Sequence, residues 1–213
     1  MKRFGVLGSG QVGQVLAAGL LRHGYEARIG SRSPDKLAGF RKETGIETGD
    51  FASVASWAGG LVLAVAGRHA EEALRLAGAD ALAGKLVIDA TNPISEEPPE
   101  DGVIRFFTGP NESLMERLQA AFPGARLVKA FNSVGNALMV NPPLPGGPPT
   151  MFYCGNDTEA KREAARVIEK FGWEGADMGT AAAARAIEPL CQLWCIPGFI
   201  ENRWNHAFRL LRS

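Results

Sequence analysis

The residues best placed to do chemistry begin with three glycines in Phe4-Gly5-Val6-Leu7-Gly8-Ser9-Gly10-Gln11-Val12-Gly13. Phe4 to Leu7 has the unbroken apolarity of a buried strand. Gln11 to Arg22 sets Val12, Val15, Leu16, Gly19 and Leu20 on one side at helical spacing. Gly-x-Gly-x-x-Gly between a strand and a helix is the pattern that seats a dinucleotide. Gly8 lets the chain turn sharply off the strand. Gly10 has no Cβ, so a pyrophosphate can lie against the main chain. Gly13 lets the helix pack close to the strand. Ser9, Gln11 and Val12 complete the segment, whose free N–H groups and about half a positive charge at the helix start favour phosphate. The competing reading is a glycine-rich turn that is architecture alone, and the correct flanks on both sides argue for binding.

The next strand decides which dinucleotide. Glu26 to Gly30 reads as that strand. An NAD site usually places Asp or Glu at its end, to bond the ribose 2′-hydroxyl. This chain has Ser31-Arg32-Ser33-Pro34-Asp35-Lys36 instead. A guanidinium can fork onto a 2′-phosphate, the serine hydroxyls can donate to it, and Lys36 adds a second cation. Ser33-Pro34 also suits a helix start, which leaves Arg32 free. The expected cofactor is therefore NADP(H).

Three later strand ends carry polar residues. Leu61 to Val65 is an apolar run followed by Ala66-Gly67-Arg68-His69, and ligands in doubly wound sheets bind at such ends. Val65, Ala66 and His69 are thus candidate cofactor contacts. His69 is either a proton-handling residue at the site or simply the start of the helix His69 to Leu76. Leu86 to Asp89 runs into Thr91-Asn92-Pro93, where the proline holds Asn92 extended at the strand end. Arg126 to Phe131 ends in Asn132 and Ser133. Thr91, Asn92, Pro93, Asn132 and Ser133 are expected around the nicotinamide, with His69, Asn92 and Asn132 as the catalytic candidates. Lys129 reads as structural or phosphate-facing, since nothing near it in sequence would depress its pKa.

Those residues need a scaffold, and the pattern supplies one. Apolar strands alternating with amphipathic helices predict an α/β fold, a Rossmann-type doubly wound parallel sheet. Further helices are expected over Pro34 to Thr44, Phe51 to Trp57, Glu112 to Phe122 capped by Asn111, and Thr158 to Phe171 capped by Asp157. Thr150 to Cys154 and Glu174 to Asp177 complete the strands. Ser95 to Pro110 and the proline-rich Asn141 to Pro149 read as loops. The division expected is residues 1–125 as the NADP-binding domain and 126–213 as a smaller C-terminal α/β and helical part that completes the acceptor cleft. Its apolar end is expected to form two helices, Ala181 to Trp194 and Phe199 to Leu211, broken at Pro197-Gly198. That end would pack on the core or on a second copy, which makes a homodimer the expected assembly. Cys191 and Cys195, four apart on one face, read as buried small hydrophobes rather than metal ligands.

The 213 residues carry 23 basic and 23 acidic side chains. A neutral balance argues against a nucleic-acid partner, which asks for a basic stripe. No apolar run approaches the about 18 residues of a membrane span. Three cysteines do not make a secreted disulfide framework, and the N-terminus does not read as a cleavable signal, so a cytoplasmic location is expected.

The chain resembles the deazaflavin-dependent NADP oxidoreductase family, and the cytoplasmic NADPH domain of the six-transmembrane metalloreductases. The resemblance rests on Val6 to Gly13, Ile29 to Lys36, Val65 to His69, Ile88 to Pro93 and Val128 to Gly135, with Lys129-Ala130-Phe131-Asn132 at a strand end the most telling. It implies that the glycine loop holds pyrophosphate, that Ser31, Arg32, Ser33 and Lys36 hold the 2′-phosphate, and that His69 and Thr91 to Pro93 line the cofactor's other side.

The chemistry this points to is hydride transfer between nicotinamide and a planar small-molecule acceptor, a flavin or deazaflavin. Such a reaction needs orientation more than an acid or a nucleophile. Two rivals stand beside it. One is an NADPH-dependent reductase of a small carbonyl or imine, which usually needs a longer helical second domain. The other is a non-catalytic NADPH-binding sensor or subunit.

Overall fold

The structure is a computed structural model that describes residues 2–212. Strand β1 (Arg3–Leu7) leads into helix α1 (Gln11–Arg22) and strand β2 (Glu26–Gly30). A 3-10 turn at Pro34–Leu37 precedes α2 (Ala38–Thr44), β3 (Glu47–Gly49), α3 (Phe51–Trp57) and β4 (Gly60–Leu63). A second such turn, Gly67–His69, opens α4 (Ala70–Ala77). Then follow α5 (Ala79–Leu82), β5 (Leu86–Asp89), α6 (Leu114–Ala121), β6 (Arg126–Lys129), β7 (Thr150–Gly155), α7 (Thr158–Lys170), β8 (Glu174–Asp177), α8 (Ala184–Ile187) and α9 (Pro189–Glu201).

The strands form one sheet in the order β3-β2-β1-β4-β5-β6-β7-β8. Every neighbouring pair is parallel except β6 and β7, joined antiparallel through Val128–Gly155 and Lys129–Cys154. The Rossmann-type α/β expectation holds. Side-chain alternation splits the core between the two faces, as a strand's period of two requires. Val6, Val62, Ile88 and Val128 pack on one side with Leu16, Leu20 and Ile168. Leu7, Leu61, Leu63, Val87 and Leu127 pack on the other with Val54, Leu74 and Leu118. Burying each such aliphatic side chain contributes about 1.5–3 kcal/mol.

Register positions the site. Leu7 pairs with Gly30 on one side and Leu63 on the other. Strands β1, β2 and β4 therefore end level, and the loops after them emerge together. Strand order also reverses at β1, and the crevice at such a reversal is where doubly wound sheets take ligands.

Four local expectations need correction. The three-residue strand β3 carries no apolar alternation and was invisible in sequence. It exists because Arg28 to Gly30 offers it an edge. Helix α6 is capped by Ser113, not Asn111: the Ser113 hydroxyl accepts from Glu116 N–H at 3.2 Å and donates to the Glu116 carboxylate at 2.8 Å. Hydroxyl and glutamate three residues apart form a capping box, which starts the helix at Leu114. Helix α9 is not broken at Pro197-Gly198; it runs on to Glu201. The stop is Asn202, in the left-handed region at φ +53°. Residues 203–212 are not helical but fold back along the core. A Cβ on Gly198 would lie 2.2 Å from the Trp204 ring, so only glycine admits that return. Trp194 Nε1 donates to the His206 carbonyl at 2.8 Å while the His206 ring bonds the Trp194 carbonyl at 3.0 Å. Thr150 N–H then donates to the Phe208 carbonyl at 2.9 Å. These long-range bonds outweigh the helical pattern of the tail.

Candidate functional site

The loops after β1, β2 and β4 enclose a cavity of about 270 Å³ lined by Gly8, Ser9, Gly10, Ser31, Arg32, Ser33, Lys36, Val65, Ala66 and His69. The glycines do what their spacing requires. Gly8 sits at φ +136°, and a Cβ there would come within 2.3 Å of the Ala64 carbonyl oxygen. A Cβ on Gly13 would lie 1.9 Å from the Gly8 carbonyl oxygen, so α1 packs directly on the turn. A Cβ on Gly10 would meet nothing within 4 Å. That open space lies at the start of α1, where N–H groups are free and the helix dipole is positive.

Serine hydroxyls knit the loops together. Ser31 donates to Ser9 Oγ at 3.1 Å, and Ser33 N–H donates to Ser31 Oγ at 3.1 Å. Ser31 is buried, whereas Arg32, Ser33 and Lys36 are exposed along the cavity rim. His69 closes the same lobe. One residue here was missed: Glu72, in the first turn of α4. Its Oε2 stands 3.4 Å from Arg32 Nη1 and 3.7 Å from His69 Nδ1. Its spacing three residues after His69 was the available signal, but nothing local tied it to Arg32.

A second lobe of about 500 Å³ continues across the glycine loop, lined by Gly10, Gln11, Val12, Ala64 to Arg68, Thr91 and Asn92. A Cβ on Gly67 would fall 1.9 Å from the Asn92 carbonyl oxygen, so the loops after β4 and β5 touch through their backbones. Asn92 Nδ2 donates to the Asn132 carbonyl at 2.7 Å, and Asn132 Nδ2 donates back to Asn92 Oδ1 at 3.1 Å. Asn132 Nδ2 also donates to the Ile187 carbonyl at 3.0 Å. Asn132 Oδ1 is buried and lacks a hydrogen-bond partner. The strand-end amides thus converge as their positions suggest. Of the amide pair only Asn92 borders the groove; Pro93, Asn132 and Ser133 are buried and do not line it. His69 lies in the other lobe, beside Arg32, and not with the amide pair. Phe131, the residue before Asn132, is held at φ +62°. For a bulky residue this costs about 1–2 kcal/mol, a strain that turns the chain abruptly off β6.

The amide pair rests on buried charge. Lys129 Nζ lies 2.6 Å from Asp89 Oδ2 and 2.9 Å from Glu188 Oε1, with all three side chains essentially inaccessible. The same amine donates to the Thr91 carbonyl at 2.9 Å. Asp89 Oδ1 accepts from Thr91 N–H at 2.9 Å and Thr91 Oγ1 at 2.6 Å. Glu188 accepts from Leu114 N–H and Met115 N–H, at 2.9 and 3.0 Å. Burial pulls the Lys129 amine down, but the two carboxylates raise it more, so it stays charged above the ordinary lysine value. The surplus negative charge is met by the positive end of α6. Lys129 is therefore structural, and its partners Asp89 and Glu188 were not legible in sequence.

The groove fits a dinucleotide phosphate. Gly10 leaves space for a pyrophosphate, cations and hydroxyls ring one end, and an unpartnered amide oxygen lies behind the other. Fold and site together define a Rossmann-type NADP-binding protein of the oxidoreductase class. The model of the family "NADP oxidoreductase coenzyme F420-dependent" matches residues 3–93, ending at the Asn92-Pro93 corner. The crystal structure of a protein assigned as an F420-dependent NADP reductase from an Arthrobacter species is 33% identical, with a TM-score of 0.92 and 100% of both chains covered. The metalloreductase STEAP3 of Rattus norvegicus is 31% identical over 92% of this chain, and the chain spans 38% of that relative's length. A reductive aminase from Aspergillus terreus, solved with NADPH4, shares the fold at 16% identity and a TM-score of 0.68, over 95% of this chain and 63% of that one. The chain belongs to the coenzyme F420-dependent NADP oxidoreductase family. No helix among the described residues is long and apolar enough to cross a membrane.

Proposed function

We propose that the protein is an NADP(H)-dependent oxidoreductase whose acceptor is a planar flavin or deazaflavin-type ring. NADP(H), when bound, supplies the hydride. The chain's residues bind and orient. The turn from Gly8 to Gly13 receives the pyrophosphate, and Ser31, Arg32, Ser33 and Lys36 hold the 2′-phosphate. Asn92, locked by Asn132, presents its amide to the nicotinamide end. The single observation that carries the reading is that one lobe gathers two hydroxyls and two cations at the end of β2, where an NAD site would set a carboxylate. A family named for coenzyme F420 supports the deazaflavin acceptor. So does the character of the second lobe, bordered by glycines, small side chains, amides and Arg68 and by no carboxylate or histidine, as positioning without acid–base chemistry requires.

Titration of the protein with NADPH and NADH beside Arg32→Ala tests the cofactor. The variant should lose about 1.5–3 kcal/mol of NADPH affinity, the worth of hydrogen bonds to a charged group, and leave NADH unchanged. Equal losses for both nucleotides would remove Arg32 from the 2′-phosphate site. An acceptor panel of flavins and the deazaflavin under NADPH then tests the second half. Turnover of small carbonyls or imines alone would replace the proposed acceptor.

We also propose a homodimer through the C-terminal part. Leu193, Phe199 and Ile200 are 55%, 47% and 61% exposed on α9. Light scattering at micromolar concentration should give twice the chain mass, and a monomeric mass would end this proposal.

A further inference from the structure

We infer that Glu72 is a specificity-determining residue of the cofactor site, a built-in competitor that limits the preference for a 2′-phosphorylated nucleotide. The inference rests on the NADP(H) reading above and concerns a residue that reading leaves without a role.

Glu72 lines the same cavity as Ser31, Arg32, Ser33 and Lys36. Its Oε2 faces Arg32 Nη1 at 3.4 Å, so Arg32 is already partnered when the lobe holds no phosphate. A 2′-phosphate brings between about one and two negative charges into this space. It must take Arg32 from Glu72, and it then sits near a carboxylate that has lost its partner. Both effects oppose the phosphate. Neither acts on a 2′-hydroxyl, which carries no charge and can donate to a carboxylate in the manner of an NAD site. The lobe thus holds both solutions to ribose recognition: a guanidinium for the phosphate and an acid for the hydroxyl.

The alternative role for Glu72 is structural. It lies in the first turn of α4, where negative charge favours the helix start, and 3.7 Å from His69 Nδ1. A structural role would change stability and leave nucleotide discrimination alone. Glu72 is about half exposed, so its replacement does not threaten the fold.

The test is a set of dissociation constants for NADPH and NADH with wild type, Glu72→Gln, Arg32→Ala and the double variant, each with a melting curve. Glu72→Gln should tighten NADPH about three- to fivefold, the scale of an exposed ion pair, and leave or weaken NADH, so that the ratio widens. In the Arg32→Ala background the same change should give less than half that gain, because the competition for the guanidinium is gone. Glu72→Gln that leaves the NADPH-to-NADH ratio unchanged, whether or not melting shifts, would overturn the inference and leave the cofactor reading intact. Wild type that binds neither nucleotide, or NADH more tightly, would overturn the cofactor reading and this inference with it.

Discussion

The two lobes of the groove are built on opposite principles. The lobe around Arg32 is exposed: the Arg32 side chain, on a loop, and the Glu72 side chain, in the first turn of α4, are 57% and 49% accessible. Exposed pairs of this kind are worth about 0–1 kcal/mol and are screened by salt. The lobe around Asn92 has neutral amides at its surface and an ion triad sealed beneath, where Lys129 and Asp89 have no accessible surface. Breaking a buried pair by removing one partner costs several times more than breaking an exposed one. The first lobe can therefore change its ligand preference one side chain at a time without disturbing the fold. The second cannot, because the groups beneath Asn92 also join β5, β6, α6 and the junction of α8 with α9. On the proposed reading, affinity for the 2′-phosphate is adjustable in this molecule, and the geometry at the nicotinamide end is built in.

The sharpest way to break that contrast is Lys129→Met. It leaves Asp89 and Glu188 buried without their counter-ion and should cost about 3–5 kcal/mol in chemical denaturation. A loss under about 1 kcal/mol, the scale of an exposed pair, would erase the distinction between the lobes. The pH dependence has a defined sign. The folded-state pKa of Lys129 is raised, so its contribution is complete below its ordinary 10.5 and declines only as pH rises through the higher folded value. Wild-type stability should thus hold its Lys129 contribution across neutral pH.

Gly13→Ala acts on the turn the two lobes share. Its Cβ must displace the Gly8 carbonyl or the helix, at a cost of about 1–3 kcal/mol. NADPH and NADH should weaken together if the turn meets the pyrophosphate common to both, as proposed. A selective loss of NADPH would mean that the turn belongs to the 2′-phosphate lobe. Effects in the exposed lobe are selective: Arg32→Ala acts on one nucleotide only, and Glu72→Gln is the smallest effect and opposite in sign.

Legibility in sequence divides along the same line. The turn from Gly8 to Gly13 was readable because it works within a few residues of backbone, whereas the cap expected of Ser33 makes no side-chain hydrogen bond to the helix start. Helix α1 and strands β1, β2 and β5 were readable from apolar spacing, and α7 from its Asp157 cap, which accepts from Ala160 N–H at 2.7 Å. Strand β3 was not, because an edge strand of three residues takes its conformation from its neighbour. Residues 203–212 carry a helical pattern and yet form no helix. Their partners, Thr150 and Trp194, belong to elements far back along the chain or across a reversal, where periodicity has no access.

Glycine spacing and apolar periodicity were enough by themselves to determine a Rossmann-type α/β fold and the turn from Gly8 to Gly13, and the residues after β2 gave the expectation of NADP(H). These are short-range properties, carried by backbone freedom and by which side chains follow a strand. Only the tertiary structure decided that Lys129 lies between Asp89 and Glu188, that Asn92 and Asn132 brace each other, and that Glu72 stands against Arg32. Each of those contacts spans 40 residues or more. Such pairings depend on strand order and register, which place side chains together only once the sheet has formed.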